Sequence, residues 1–333
     1  MVKATNGTVG TVNVKNSATG AVVNGSLSAD KTTWTSTDPL GYNSTYQVVA
    51  DGQNTAGKTS EQTSTLHTVS PAVQTYPSLV PAPTAGTDVG VGQVIEVMFD
   101  HSITDKAAAE KAMKVTSSPP QPGGWYWISN KEAHYRPENY WQSGTTVTVN
   151  VGIYGVDLGG GVYGQTDRTL TLHVHDSWVA KANGATEQMQ IFHNGALVNT
   201  MPISLGSPGH PSHEGTHVIS QKTPSIVMDS CTYGVCQGQA GYYKETVLLD
   251  ERISNDGEFV HAAPWSVGSQ GSSNVSHGCV NLSPANAQWF YDHFNPGDVV
   301  EITNSGGPAL PVWDTYGDWE LSWQQWQSGS ALN

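Results

Sequence analysis

Short runs of Val and Thr alternate with tight-turn dipeptides over the first 75 residues, and this alternation restricts the possible folds more than any other feature. Asn24-Gly25, Asp38-Pro39 and Asp51-Gly52 interrupt the chain at intervals that suit β-strands. β-Branched residues favour strands, whereas Asn, Asp, Gly and Pro favour turns. We therefore predict a small β-sandwich for residues 1–75.

A proline-rich segment, residues 76–83, follows this unit. Proline stiffens an extended chain and cannot donate a hydrogen bond to a sheet ladder, so we predict that the segment connects two domains. A second β unit is expected after it and should end near Asp176. Its predicted elements are strands at residues 94–99, 125–128 and 146–151 and an Ala-rich helical segment at residues 105–113.

The composition changes again from Ser177 onward, where further strands and one long helix are expected. Ser283 is a suitable N-cap and Pro284 suits the first helical position, so the helix is predicted for residues 283–294. A tryptophan-rich tail follows, and it is predicted to clamp onto a domain surface. The expected strands are a hairpin at 189–195 and strands at 198–203, 218–220, 227–228 and 299–302, and the tail contains Trp313, Trp319, Trp323 and Trp326.

The charge balance of the chain excludes some partners. The 333 residues carry a formal net charge of −14, so nucleic acid is not an expected partner, because contacts to phosphates need an excess of Lys and Arg. No apolar run approaches the roughly 20 residues of a transmembrane span. The first residues lack the apolar core of a signal peptide, so any signal or anchor segment is expected to be absent from this chain.

The use of cysteine nevertheless favours an exported protein. Cys231 and Cys236 are five positions apart, and Gly234 between them lets the chain turn back on itself. A disulfide fits this spacing, while two unrelated buried thiols and a metal-binding pair are the alternatives. A disulfide would leave Cys279 as the odd thiol, which is then either buried and inert or reactive.

Cys279 lies in the block Ser276-His277-Gly278-Cys279-Val280-Asn281, and a cysteine nucleophile is the first hypothesis for it. A thiol is mostly protonated near neutral pH, so a catalytic cysteine needs a neighbouring imidazole. His277 shares a face with the thiol if this segment is extended. His261 lies 18 residues upstream on an apolar run that is typical of a strand. Gly278 permits a tight turn that would direct backbone N–H groups at a developing oxyanion.

The spacing from His261 to this six-residue block resembles the signature of L,D-transpeptidases with a YkuD-type catalytic domain. The surrounding sequence, closely from about residue 79 to 326, resembles the mycobacterial and related actinobacterial members that carry two immunoglobulin-like domains ahead of the catalytic domain. The segments that carry this likeness are residues 228–230, 232–234, 259–261, 263–267, 286–293 and 317–319.

The resemblance implies a mainly β chain in four parts. Residues 1–75 and 76–175 would each be an immunoglobulin-like β-sandwich. Residues 176–304 would be a YkuD-type β-sandwich catalytic domain with one main helix. Residues 305–333 would be a Trp-rich extension packed on the catalytic domain.

For function, the resemblance implies a secreted, extracytoplasmic enzyme of the cell envelope that cross-links peptidoglycan and contributes to cell shape. Cys279 would attack the third residue of a donor tetrapeptide stem, release D-Ala and pass the acyl group to an acceptor stem as a 3→3 cross-link. Carbapenems would acylate the same thiol. No cofactor and no metal are expected.

The resemblance also implies roles for individual residues. Cys279 would be the nucleophile and His261 the general base, oriented by the backbone carbonyl of Ala262, where several relatives have Ser. Gly278 and Cys279 would supply the oxyanion N–H groups, and His277 would support the site. Substrate contacts are implied for Met228, Tyr243, Asp256, Gly257, Trp265, Ser276 and Asn281.

Two other functions are compatible with the sequence. A metal-dependent peptidoglycan hydrolase would combine His261 and His277 with a nearby His/Glu cluster, because such side chains bind Zn²⁺. The spacings within the cluster do not match the helical motif of metalloproteases. A non-catalytic cell-wall binding protein would rely on the β domains alone. The cluster consists of His210, His213, Glu214 and His217.

Overall fold

The structure is a computed structural model that describes residues 1–82, 87–239 and 242–333. Pro83, the last residue of the predicted connection, lies outside the described residues. The chain forms two compact units, Met1–Gln74 with Gly161–Tyr163, and Thr75–Gly160 with Gly164–Asn333. The division into four parts stays a prediction. Within the described residues, no helix is long and apolar enough to cross a membrane.

The first unit is a small β-sandwich, as the alternation of Val, Thr and turn residues predicts. Its strands are β1 (Val2–Lys3), β2 (Gly7–Asn16), β3 (Gly25–Leu27), β4 (Thr33–Ser36), β5 (Thr45–Asn54) and β6 (Thr59–His67). One sheet has the order β1–β4–β3 and the other the order β2–β5–β6. Val9, Val14, Trp34 and Tyr46 form the buried core of this unit.

A second β-sandwich confirms the strands and the Ala-rich helix predicted after residue 90. The elements that follow along the chain are β7 (Val73–Thr75), β8 (Pro77–Val80), β9 (Thr87–Val89), β10 (Ile95–Phe99), α1 (Lys106–Ala112), β11 (Met113–Ser118), β12 (Gly123–Trp127), β13 (Glu132–Pro137), β14 (Thr146–Val151), β15 (Val162–Gly164) and β16 (Arg168–Val174). β7 and β15 pair with each other in a two-stranded sheet, and most of their residues belong to the first unit. The two sheets have the orders β12–β13–β10–β8 and β11–β14–β16–β9. Asp105 caps α1 by accepting a hydrogen bond from Ala108 N at 2.9 Å.

The proline-rich segment requires a correction. Residues 76–83 were expected to be a connection without sheet pairing, but Pro77–Val80 forms β8, in which Pro77 lies opposite Phe99 of β10. β8 is the outer strand of its sheet, where one side of the strand has no ladder to complete. Proline is tolerated at the first position of such an edge strand because its missing N–H is not needed there.

The third β region carries the predicted long helix. Its elements are β17 (Trp178–Asn183), β18 (Gln188–His193), β19 (Ala196–Pro202), β20 (Gly215–Val218), β21 (Gln221–Asp229), β22 (Lys244–Arg252), β23 (Phe259–Ala262), β24 (Val280–Leu282), α2 (Pro284–His293) and β25 (Val299–Thr303). The sheets have the orders β19–β18–β17–β25–β20 and β21–β22–β23–β24. Ile191, Val260 and Phe290 belong to one hydrophobic core between these sheets and α2. The mainly β fold class is therefore confirmed.

Local signals predicted most of this region. Ser283 accepts a hydrogen bond from Asn286 N at 3.3 Å and so caps α2, as predicted. Asn194 and Gly195 have positive φ values of 48° and 80°, which suits the tight turn of the predicted hairpin. The strand expected at residues 218–220 instead spans Gly215–Val218, because the ladder with β25 runs in that register while Ile219, which follows, is buried outside it.

The tail folds into a short 3₁₀ helix, Gly317–Glu320, and a helix α3, Trp323–Gln327. Trp319 Nε1 donates to Gly92 O at 2.8 Å, and Trp326 Nε1 donates to Gly124 O at 2.9 Å. Trp326 is fully buried and its ring stacks on Tyr126 with centroids 5.0 Å apart.

The predicted tryptophan clamp therefore forms. The extension was expected to pack on the catalytic domain, residues 176–304; its 3₁₀ helix does pack on β20 of the third β region, while α3 packs on β12 of the second β-sandwich. The physical reason is the Arg136 guanidinium, which lies over the rings of Trp319 and Trp326 at 4.6 Å from each. Glu320 does reach the third β region, since it accepts from Thr216 N at 2.6 Å. Trp313 is 69% exposed and takes no part in the clamp.

Candidate active site

A cavity of about 290 Å³ contains most of the predicted site residues, and we call it the thiol cavity. The end of β21, the start of β22, β23 and the turn before β24 form its walls. Eight predicted residues line it, together with three residues that the sequence did not indicate. The lining residues are Met228, Tyr243, Glu245, Val247, His261, Trp265, Val275, Ser276, His277, Cys279 and Asn281.

The register of two parallel strands brings His261 and Cys279 together. β23 and β24 pair in parallel, with Val260 opposite Val280 and His261 opposite Asn281. Side chains alternate between the two faces of a sheet, and paired residues share a face, so His261 and Asn281 project from the same face. Cys279, in the bend that leads into β24, lines the same cavity as these two residues. The histidine and the thiol are 18 positions apart in sequence because residues 263–279 form the connection between these two neighbouring strands.

His261 is held in one tautomer by its own strand. Its Nδ1 donates a hydrogen bond to Ala262 O at 3.0 Å, which leaves Nε2 as an acceptor. The residue is 3% exposed, and this burial lowers the pKa of His261. The imidazole is therefore neutral near neutral pH and able to accept a proton at Nε2.

Cys279 is an unpaired thiol at the inner end of the cavity, 8% exposed. Its Sγ lies 3.8 Å from Gly257 O. Burial raises the pKa of the thiol to about 12, and the charges of Glu258 and Asp250 act in the same direction. The resting thiol is therefore protonated, so its proton has to be removed during any attack by sulfur.

Residues 276–279 form a tight turn, which we call the nucleophile turn. Ser276 Oγ donates to Cys279 O at 2.7 Å and accepts from Gly278 N at 3.1 Å. Gly278 has a φ of +121°, a conformation that favours glycine. The predicted oxyanion role of Gly278 stays a prediction, and it requires that the Gly278 N–H exchange Ser276 for the substrate oxygen.

The remaining predicted residues surround this centre. The His277 ring lies 4.8 Å from that of His210 and 5.2 Å from that of Tyr243, and burial lowers the pKa of His277. Asn281 Nδ2 donates to Ser266 Oγ at 3.1 Å. Trp265 is 56% exposed at the cavity edge, with its ring 6.0 Å from that of His261. His277 thus lines the cavity beside Tyr243.

Asp256 and Gly257 do not line the thiol cavity. They line an adjoining cavity of about 420 Å³, and Met228 and Tyr243 border both cavities. The predicted substrate contacts are therefore divided between two neighbouring spaces. Gly257 connects them, because its carbonyl oxygen faces the thiol of Cys279.

A disulfide joins Cys231 to Cys236, which settles the alternatives that the spacing left open. The bond lies in the connection between β21 and β22. This connection also contains a short 3₁₀ helix, Ser230–Tyr233. Ser230 N donates to Tyr243 O at 3.1 Å, so the disulfide-bonded segment is linked to a residue of the cavity wall.

The His/Glu cluster considered for zinc does not converge on one point. His213 and His217 both approach Glu258, at 3.2 Å and 3.4 Å, whereas Glu214 accepts from Gly306 N at 3.1 Å. His210 instead lies beside the His277 ring. Among the residues that the structure describes, the His, Cys, Asp and Glu side chains that do converge as a metal site would require are Glu96, Glu132 and His134, which are not part of the thiol cavity.

Three lining residues were missed by sequence reasoning: Glu245, Val247 and Val275. The strand period could have indicated the first two, because residues 243, 245 and 247 lie on one face of the β22 segment. Glu258, directly before β23, was also not assigned a role. Its contacts depend on residues 45 positions away in sequence, and no local pattern indicates them.

Comparison with known proteins agrees with this geometry. A family model described as the L,D-transpeptidase catalytic domain matches residues 177–302, and one described as a bacterial Ig domain matches residues 1–157. L,D-transpeptidase 2 of Mycobacterium tuberculosis (strain CDC 1551 / Oshkosh) is 42% identical over 330 residues, which is 99% of this chain and 80% of that protein. The chain belongs to the L,D-transpeptidase family.

Further relatives of this L,D-transpeptidase agree with that assignment. L,D-transpeptidase 5 of Mycobacterium tuberculosis (strain ATCC 25618 / H37Rv) is 35% identical, over 96% of this chain and 70% of the relative. A solved L,D-transpeptidase in complex with imipenem aligns with a TM-score of 0.59 and 33% identity, over 68% of this chain and 97% of that one. L,D-transpeptidase 3 of Mycobacterium tuberculosis, solved with a faropenem-derived adduct, aligns with a TM-score of 0.56 and 28% identity, over 68% and 97% of the two chains.

Proposed function

We propose that this L,D-transpeptidase forms 3→3 cross-links in peptidoglycan, with Cys279 as nucleophile and His261 as general base. The observation that carries the proposal is that both residues line one cavity, at the junction of the paired strands β23 and β24, with the imidazole neutral. A neutral imidazole beside a protonated thiol is the arrangement that general-base activation of sulfur requires.

The proposed reaction begins when His261 Nε2 accepts the thiol proton as Cys279 Sγ attacks the carbonyl carbon of the third residue, a diaminopimelyl unit, in a donor tetrapeptide. Collapse of the tetrahedral intermediate expels D-Ala, whose amine takes the proton from His261, and leaves a thioester. An acceptor-stem amine then attacks the thioester, with His261 again as base, and the thiol regains its proton.

Several wall residues are proposed to bind the stems. Gly278 and Cys279 would donate backbone N–H groups to the oxyanion, and Ala262 would keep the His261 ring oriented. His277 is proposed to support the site from the cavity wall. The remaining proposed substrate contacts are Met228, Tyr243, Trp265, Ser276 and Asn281 in the thiol cavity and Asp256 and Gly257 in the adjoining one.

We also propose that carbapenems acylate Cys279, because a thiolate that attacks a peptide carbonyl can open a β-lactam in the same way. The imipenem complex and the faropenem-derived adduct of the two structural relatives support this. Since peptidoglycan is assembled outside the cytoplasm, the proposed location is the cell envelope, where cross-linking would contribute to cell shape.

Intact-mass spectrometry after incubation with imipenem tests the nucleophile. We expect one acyl adduct on the wild type, no adduct on Cys279→Ala, and no effect of a chelator. The hydrolase alternative predicts that chelation abolishes activity while thiol alkylation matters little, and the binding-protein alternative predicts no adduct. An adduct on Cys279→Ala would overturn the assignment.

The cross-linking step needs a separate measurement. Tetrapeptide stems incubated with the enzyme should release D-Ala and yield 3→3 dimers, detected by mass spectrometry. Release of D-Ala without dimers would show that water, and not an acceptor amine, resolves the acyl-enzyme.

A further inference from the structure

Glu258 lies directly beneath the nucleophile turn. A Cβ atom added to Gly278 would lie 3.2 Å from Glu258 Oε1 and 3.4 Å from its Cγ, so the side chain of Glu258 is in close contact with the backbone that precedes Cys279. Glu258 is 6% exposed, and it lies one residue after Gly257, whose carbonyl faces the thiol. The carboxylate therefore packs against the nucleophile turn and does not line the thiol cavity.

Two histidines hold this buried carboxylate. His213 donates to Glu258 Oε1 through both its backbone N, at 2.9 Å, and its Nδ1, at 3.2 Å. His217 Nε2 lies 3.4 Å from Glu258 Oε2. Burial alone would raise the pKa of Glu258, but the hydrogen bonds from His213 and the close approach of His217 outweigh it and lower this pKa. Glu258 is therefore a carboxylate, and a buried carboxylate needs such partners to remain charged.

The segment that holds Glu258 also holds the turn. Ser212 Oγ donates to Gly278 O at 2.6 Å, and the next residue is His213. Residues 212–213, 257–258 and 278–279 thus form a closed ring of contacts around the nucleophile. A change in the carboxylate is transmitted to Cys279 by contact with Gly278 and by the carbonyl of Gly257.

Glu258 affects the thiol through its negative charge as well as through its contact with the nucleophile turn. Glu258 is one of the charged groups that raise the pKa of Cys279, after burial itself. The titratable groups in contact with Glu258 are His213 and His217. Asp256 and Asp314 in turn interact electrostatically with His213. The contact of Glu258 with the turn and its effect on the pKa of Cys279 should therefore be measurable separately.

We propose that Glu258, held by His213 and His217, is a positioning residue that fixes the nucleophile turn and so directs the Cys279 thiol at the substrate carbonyl. This inference rests on the proposed role of Cys279. The benefit is geometric, because misplacement of a reacting atom by about 1 Å can reduce a rate about 100-fold. The cost is electrostatic, because the nearby negative charge disfavours the thiolate.

Two rates measured on Glu258→Gln separate these effects. Alkylation of Cys279 by iodoacetamide requires no docked substrate, and we expect its pH midpoint to fall because removal of the nearby charge lowers the pKa of the thiol. Acylation by imipenem requires an aligned thiol, and we expect its maximal rate to fall about 10-fold while the apparent binding constant is unchanged. Faster alkylation with slower acylation is the expected signature.

Two further variants complete the test. His213→Gln keeps the backbone donor to Glu258 but removes Nδ1, and we expect a smaller change of the same kind. Glu214→Gln is the matched control, because it removes a carboxylate from the neighbouring position whose partners are Ser305 and Gly306. It should leave both rates within about twofold of the wild type.

The outcomes distinguish this inference from the proposed function. If the wild type is acylated and Glu258→Gln matches it in both rates, the positioning role is wrong and the nucleophile assignment stands. Loss of thermal stability with slower acylation but an unshifted alkylation midpoint would show a purely structural role, which also overturns the inference. If the wild type forms no adduct, the nucleophile assignment fails and the inference fails with it.

Discussion

His134 and His261 are both almost fully buried, yet they have opposite protonation states. Both ring nitrogens of His134 face carboxylates, Nδ1 at 2.7 Å from Asp318 and Nε2 at 2.9 Å from Glu132. Although burial acts against it, these partners raise the pKa of His134 to about 10. His261 has a backbone carbonyl as its partner, and burial lowers its pKa.

The same side chain is therefore suited to a structural role in one region and to proton transfer in the other. An imidazole with two carboxylate partners keeps its proton and acts as a fixed cation, here joining the tail to the second β-sandwich. An imidazole oriented by one carbonyl has a free nitrogen that can accept a proton. Each prediction below changes one of these two regions and should leave the other unaffected.

The largest effect is expected for His261→Gln. The variant replaces the imidazole by a polar amide that is not a base, so the rate of imipenem adduct formation should fall about 10²–10⁴-fold. The midpoint of thermal unfolding should remain close to that of the wild type. His293→Gln is the matched control, because its Nδ1 also bonds a backbone carbonyl, that of Trp289, far from the cavity. Equal loss in both variants would refute the role of His261 as base.

Asp318→Asn should have the second largest effect, and this effect should be on the free energy of unfolding. It removes a fully buried charge from the protonated His134, and breaking a buried ion pair on one side costs about 3–5 kcal/mol of unfolding free energy. Denaturant titration checks this. Asp176→Asn is the control, because its pair with His193 is exposed and is worth less than about 1 kcal/mol. Adduct formation by Asp318→Asn under stabilising conditions should equal that of the wild type.

The pH dependence of stability should follow the same histidine. Since the folded pKa of His134 is about 10 and its unfolded value is about 6.5, its contribution is fully present below pH 6.5 and is lost as the pH rises through 10. The unfolding free energy of the wild type should therefore fall over this range by more than that of His134→Gln. Parallel curves for the two proteins would show that His134 is not the titrating group.

The smallest effect is expected for the disulfide beside the thiol cavity. A bond that closes a loop of this size contributes about 2 kcal/mol in the chain-entropy description, so the double variant Cys231→Ser/Cys236→Ser should be destabilised by that amount or less. Because the segment is linked to Tyr243, acylation should slow a few-fold. A destabilisation as large as that of Asp318→Asn would mean that this connection supports the fold as strongly as the buried ion pair.

Much of the fold was predictable because its signals are local. The Ser283-Pro284 helix start, the Asn194-Gly195 turn and the alternating strands depend on neighbours within a few residues, and the structure confirms them. The edge strand at Pro77–Val80 was missed because only the position of a strand within its sheet decides whether proline is tolerated there. The contact of α3 with the second β-sandwich was not predicted for a similar reason, since Arg136 is distant in sequence from the tryptophans that cover it.

The sequence by itself determined which chemical groups are present and which local elements carry them: a thiol in a glycine turn, a histidine on an apolar strand and a capped helix behind them. The tertiary structure decided what those groups do, because protonation depends on burial and on charges that arrive from distant segments. His134 is charged by Asp318, 184 positions away, and Glu258 is held by His213, 45 positions away. No local pattern encodes either contact, since each exists only once separate strands and loops pack together.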